Sequence, residues 1–97
     1  MIKFVWRRRS LGKPRPGVRW DLYHEKVDSA NQVGTCYYLS GSKRYSVSAS
    51  APVKDGVVLT SYSGGTAASA RRALERDWCK RSIGLFGEDD IDFEVAT

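Results

Sequence analysis

Alternation of apolar and polar side chains recurs along this chain and limits it to a β-rich fold. Successive side chains of a strand point to opposite faces, so this alternation suits a strand with one buried and one exposed side. Asp55-Gly56 marks a tight turn, since glycine tolerates the positive φ that a hairpin needs. Alternation, or a concentration of strand-forming residues, predicts strands at residues 2–6, 18–25, 35–39, 44–50, 57–62 and 91–95.

One segment has helical spacing instead. Thr66 follows two glycines and suits an N-cap, because its hydroxyl can accept a hydrogen bond from the first turn. The composition of the next residues predicts a helix over about 67–82. The apolar side of this helix comprises Ala67, Ala70, Leu74 and Trp78.

These elements predict the fold class. A chain of 97 residues fits a single domain. We therefore expect residues 1–97 to form one α+β domain, in which an antiparallel meander of about four to six strands has one helix packed on one face. Asp92 and Glu94 share a face of the last strand, and Lys3 and Arg7 share a face of the first. These opposite charges predict that the two terminal strands pair.

The net charge of +5 is a sum of two unlike parts. Residues 1–83 carry +10, whereas residues 84–97 carry −5 and contain no base. The acids lie in a C-terminal segment at residues 88–94. Such asymmetry indicates an anionic partner for the basic part of the chain.

The basic residues concentrate near the N-terminus. Residues 7–17 contain prolines and glycines, which break regular structure, so we expect a loop or arm there. Clustered cations neutralise phosphates and release counterions; a protein partner and a solvated loop are the alternatives. The cations of this region are Arg7, Arg8, Arg9, Lys13, Arg15 and Arg19.

A second basic element lies on the predicted helix. Arg72, Arg76 and Lys80 recur every four residues, opposite the apolar side. They are either a phosphate-binding stripe or an ordinary charged helix face. Exposed Tyr23, Tyr37 or Tyr38 would add base stacking. Whether the arm and the stripe form one surface is not determined by the sequence.

Few residues suit catalysis or metal binding. A structural zinc site needs about four ligands, whereas the chain offers His24, Cys36 and Cys79 without paired spacing. We expect both cysteines to be free thiols, no metal and no cofactor, and a protein that is not an enzyme. No apolar run suits a membrane span or a secretory signal, so a cytoplasmic location without a membrane partner is expected.

The sequence therefore favours a small basic protein that binds nucleic acid, DNA or RNA, mainly through the phosphate backbone. The alternative is a non-catalytic accessory or inhibitor protein of phage type, such as a blocker of host defence, that binds an acidic protein surface. Its size and lack of motifs suit that alternative.

Overall fold

The computed structural model describes residues 2–10, 18–53, 55–81 and 90–96, in which one helix packs on a six-stranded sheet. The strands follow the spatial order β5-β4-β3-β2-β1-β6. This confirms the predicted α+β class. The elements are β1 (Ile2–Ser10), β2 (Val18–His24), β3 (Gln32–Leu39), β4 (Arg44–Val53), β5 (Gly56–Gly64), α1 (Ala67–Lys80) and β6 (Ile91–Ala96), with a short 3-10 turn at Ser29–Asn31.

The first five strands form an antiparallel meander, as the alternating segments predict. Gly56 has a φ of 152°, a conformation that L side chains rarely adopt, and it follows Asp55 at the predicted turn between β4 and β5. Strand β6 returns to the far edge and pairs with β1 in parallel orientation. The predicted pairing of the terminal strands is confirmed, with Lys3 Nζ 3.3 Å from Glu94 Oε2.

Helix α1 begins with a capping box. The Thr66 hydroxyl accepts a hydrogen bond from the Ser69 backbone N–H, and the Ser69 hydroxyl accepts one from the Thr66 N–H, both at 3.0 Å. Ala70, Leu74 and Trp78 are buried on the inner side, as predicted, and Ala67 is half-buried. The regular helix ends at Lys80, and Arg81 forms an ion pair with Asp77 at 3.0 Å.

The sheet curves around α1. The Trp78 ring lies 5.0 Å from the Phe4 ring in β1, and its Nε1 donates to the Thr60 hydroxyl in β5 at 3.3 Å. Neighbouring strands are about 4.8 Å apart, so β1 and β5 would lie roughly 19 Å from each other in a flat sheet. One indole reaches both because the sheet wraps the helix. The inner face is thereby covered by α1, and we call the outer one the open face.

One expectation about local structure is wrong. Arg7, Arg8 and Arg9 were predicted to begin a loop, whereas they continue β1 and pair with β2. Arg7 lies opposite Asp21, and Arg9 lies opposite Arg19. Backbone ladder bonds do not depend on side-chain polarity, so pairing with β2 extends the strand beyond its apolar part. Residues 11–17 of the predicted arm, and residues 88 and 89 of the acidic segment, lie outside the described residues.

Candidate nucleic-acid interface

Three arginines gather on the open face of the β1–β2 hairpin. Phe4 and Trp6 of β1 are buried beneath α1. Alternate residues of a strand face opposite sides, so Arg7 and Arg9 project from the other face of the sheet. Their side chains are exposed. Arg19 lies on the same face, because it is the direct cross-strand partner of Arg9. We call Arg7, Arg9, Arg19 and the aspartate among them, Asp21, the open-face cluster.

Asp21 holds this cluster together. Asp21 is 1% exposed, and its carboxylate lies 3.3 Å from both Arg9 Nε and Arg19 Nε. The Gln32 side-chain amide donates to the same carboxylate at 3.2 Å. Arg9 and Arg19 stand directly opposite each other, a placement that is destabilising for like charges. Asp21 offsets that repulsion, and three cations around one carboxylate leave the cluster positively charged.

The geometry leaves donors for an anionic ligand. A guanidinium carries five N–H groups in a fixed planar fork, and Asp21 meets Arg9 and Arg19 at their Nε atoms, on the inner side of each fork. The Arg19 Nε is buried and meets Asp21 as an ion pair without an aligned hydrogen bond. Anchoring at Nε restricts the rotation of long side chains, so less entropy is lost when their outer nitrogens bind an oxyanion.

Only part of the expected aromatic surface is available. Tyr23 was expected to be exposed for stacking, and this is wrong: it is 8% exposed and lies opposite Val5, which is also buried. Tyr38 is 51% exposed, but it lies at the helix side and packs edge-on against Tyr45. Tyr37 is half-buried and shares the open face with Thr35, the cross-strand partner of Asp21. It is therefore the aromatic residue nearest to the cluster along β3.

The two basic elements predicted from the sequence lie on different sides of the molecule. Arg72, Arg76 and Lys80 are exposed on α1, opposite the residues that the helix buries against the sheet. The helix and the sheet therefore separate this helix stripe from the open-face cluster. Lys13 and Arg15 lie outside the described residues. A single phosphate cannot contact the stripe and the cluster together.

Comparison of the chain with protein-family models, curated proteins and solved structures found no match. The basis for assigning a function is therefore the chemistry of these surfaces.

Arg8 belongs to the helix side of the sheet. It lies opposite Trp20, and Arg71 of α1 stacks over the Trp20 ring at 4.0 Å. Burial lowers the pKa of the Arg71 guanidinium, and the Glu75 carboxylate opposes that effect. Glu75 also accepts a hydrogen bond from Trp6 Nε1 at 2.9 Å. Trp6 is therefore a core residue, and Trp20 lies partly beneath an arginine, so neither presents an open ring for base stacking.

The nucleophile and metal chemistry of the described residues is sparse. Cys36 lies opposite Trp20, whereas His24 lies opposite Phe4, so the two do not share a cross-strand position. Burial raises the pKa of the Cys36 thiol to about 11, which keeps it protonated at neutral pH. Cys36 and Cys79 are both free, as expected. Across the described ranges, no three His, Cys, Asp or Glu side chains come together as metal ligands.

The part of the chain that the structure describes has no helix with the length and hydropathy needed to cross a membrane.

Sequence reasoning missed the residue that organises the cluster. Arg19 and Asp21 alternate on one face of β2, which is visible in the sequence. What was missing was the register of β1, because a segment assigned to a loop has no cross-strand partners. Had residues 7–9 been assigned to the strand, an antiparallel hairpin would have brought Arg9 to Arg19, with Asp21 as the nearest counter-charge.

Proposed function

We propose that this protein binds nucleic acid through its phosphate backbone, with the open-face cluster as the contact surface. The observation that carries the proposal is the pair of Nε contacts by which Asp21 anchors Arg9 and Arg19 on the sheet face opposite α1. Arg7 adds a third guanidinium directly opposite Asp21.

Phosphate is the ligand that suits this arrangement best. A guanidinium fork matches two oxygens of a phosphate, and the resulting charge-assisted hydrogen bonds are roughly twice as strong as neutral ones. Release of counterions condensed on nucleic acid adds a driving force that does not depend on base sequence. Tyr37 would stack on an unpaired base beside the cluster. These contacts position a nucleic acid without reading its sequence.

The helix stripe provides a matched control. Arg7→Gln/Arg9→Gln and Arg72→Gln/Arg76→Gln lower the net charge equally, so any difference in affinity reports position rather than overall charge. All four side chains are exposed, so both double variants should fold. The measurement is fluorescence anisotropy with labelled single-stranded DNA, double-stranded DNA and RNA at several salt concentrations.

We expect wild type to bind, with an affinity that falls steeply as salt rises. The Arg7→Gln/Arg9→Gln variant should bind more weakly, and the slope of log affinity against log salt should decrease by about two, one unit for each lost phosphate contact. The Arg72→Gln/Arg76→Gln variant should keep a slope close to that of wild type.

Two results would overturn the proposal: equal losses in the two double variants, or no binding to any of the three nucleic acids at low salt. The second result would favour the other function expected from the sequence, an accessory or inhibitor protein whose guanidinium groups bind carboxylates on an acidic protein surface.

A further inference from the structure

The two edges of the sheet have opposite chemistry. Strand β5 forms one edge and β6 the other, and within the described residues each pairs with a neighbour on one side only. An edge strand offers unpaired backbone N–H and C=O groups to any strand that can align with it. Proteins usually block such edges with charged side chains, proline or bulges.

Strand β6 is blocked in this way, whereas β5 is not. Asp92 and Glu94 are exposed on β6. The nine residues of Gly56–Gly64 include no charged side chain and no proline, in a chain of which 28% of the residues are charged. Every residue of β5 is matched with one of β4, so the ladder continues without a bulge.

The exposed side chains of β5 are also apolar near its middle. Leu59 is 81% exposed and Val57 is 61% exposed, the two largest values among the large hydrophobic residues that the structure describes. Both lie on the open face, since the alternate residues Val58 and Thr60 are half-buried on the helix side. Among the described residues, this edge therefore combines unpaired backbone groups with apolar surface.

These features suit pairing of β5 with itself. A two-fold axis that relates two chains places each residue near the axis close to its own copy, so a charged residue there would repel itself. Strand β5 carries none, and Leu59, one residue from its centre, would pack beside the second Leu59. The β6 edge would instead bring like acids together. The chain has a net charge of +5, so two copies meet most favourably where the surface is neutral.

We propose that the protein forms a two-fold symmetric dimer by antiparallel pairing of β5 with β5 of a second copy. In such a pair the two sheets become one continuous sheet, and both open faces lie on the same side. This proposal does not depend on nucleic-acid binding.

Light scattering after size-exclusion chromatography, with sedimentation velocity over a range of concentrations, tests the dimer. Leu59→Lys places a charge near the proposed axis. Val95→Lys is the matched control, because Val95 is also an exposed apolar residue, at 54%, on the opposite edge strand. Ser61→Lys adds charge near the same axis without removing apolar surface. Thermal melts followed by circular dichroism establish that each variant is folded.

We expect wild type and Val95→Lys to have twice the mass of one chain, and Leu59→Lys and Ser61→Lys the mass of a single chain. The proposal would be overturned by a wild type that remains a single chain at all concentrations, by a Val95→Lys variant that dissociates as readily as Leu59→Lys, or by a Ser61→Lys variant that remains a dimer. Association of wild type into a series of larger species would also overturn it, since a two-fold contact closes at two copies.

Discussion

The covered face and the open face of the sheet differ in the kind of side chain that they bury. On the covered face, Phe4, Trp6, Leu22, Leu74 and Trp78 exclude water completely. On the open face, Val5 and Tyr23 are also buried, but beside them lies a buried charged group, Asp21, whose partners are arginines. The free energy of unfolding should therefore depend mainly on the covered face, whereas the nucleic-acid binding that we propose would depend on the open face.

This contrast follows from how the two kinds of interaction scale. Burial of apolar surface contributes about 25 cal/mol per Å², so large side chains under a helix dominate stability. Ion pairs at a surface contribute roughly 0–1 kcal/mol, because water screens them and long side chains lose entropy. The network of Asp21 is intermediate, because its carboxylate is buried and its arginine partners are partly exposed. It should contribute more than a surface pair and less than the apolar side chains under the helix.

The largest expected effect is on the covered face. Trp78→Ala removes an indole that contacts Phe4 and donates to Thr60, and we expect a loss of about 3–5 kcal/mol in the free energy of unfolding. Urea unfolding measures this loss. Trp78→Phe should lose less stability than Trp78→Ala, and it can be measured if the alanine variant does not fold. Ser48→Ala, an exposed open-face control, should change stability by less than about 0.5 kcal/mol. If Trp78→Phe and Ser48→Ala lost the same free energy of unfolding, the covered face would not dominate stability as we expect.

The second effect is a pH dependence of the covered face. The pKa of Cys36 is raised from 9.0 to about 11, so the folded state favours the neutral thiol. Its contribution to stability is complete below pH 9 and is lost as pH rises towards 11, a decrease of about 2–3 kcal/mol. Unfolding free energies across this range should fall less steeply in Cys36→Ala, which removes the titrating group. Identical pH profiles for the two proteins would refute the buried thiol as a cause.

The third effect tests the open face. Asp21→Asn keeps the shape of the side chain but removes the charge between Arg9 and Arg19, and we expect a loss of about 1–2 kcal/mol. Added salt should recover part of the loss, because it screens the two arginines from each other. Asp92→Asn, at an exposed position in β6, is the control. A loss in Asp21→Asn no greater than in that control would mean that Asp21 does not organise the cluster.

The smallest effect concerns the pair between Lys3 and Glu94. Both side chains are about half exposed, so the pair should contribute ~0.2–1 kcal/mol. A double-mutant cycle with Lys3→Met and Glu94→Gln measures this coupling. A coupling energy well above that range would show that surface ion pairs, and not only the apolar covered face, contribute substantially to stability.

Local signals were sufficient for the helix and for most strands. Thr66 caps α1 and Ala70, Leu74 and Trp78 face inward, because capping and a 3.6-residue period act within a few residues of each other. The pairing of the terminal strands followed from opposite charges, but its parallel direction did not, since charge pairs form in either orientation. The predicted strand at residues 35–39 in fact begins at Gln32 and includes Gly34, where a Cβ would come within 2.8 Å of the Ala49 Cβ.

The candidate site was predicted only in part. The arginines at 7, 9 and 19 were identified because a cluster of charge is visible in any sequence, whereas Tyr23 was misjudged because its burial depends on the strands at either side. Asp21 and Gln32 were not recognised as their partners, since the contact joins residues of three strands.

By itself, the sequence determined that the chain forms an α+β domain, where its helix begins and which helical residues face inward, because these depend on polarity and hydrogen bonding over a few neighbouring residues. The tertiary structure decided that β1 extends through its arginines and that a buried aspartate anchors two of them. It also decided that the helix stripe lies on the far side of the molecule. These features depend on strand register and on the layering of helix over sheet, which bring together residues that are distant along the chain.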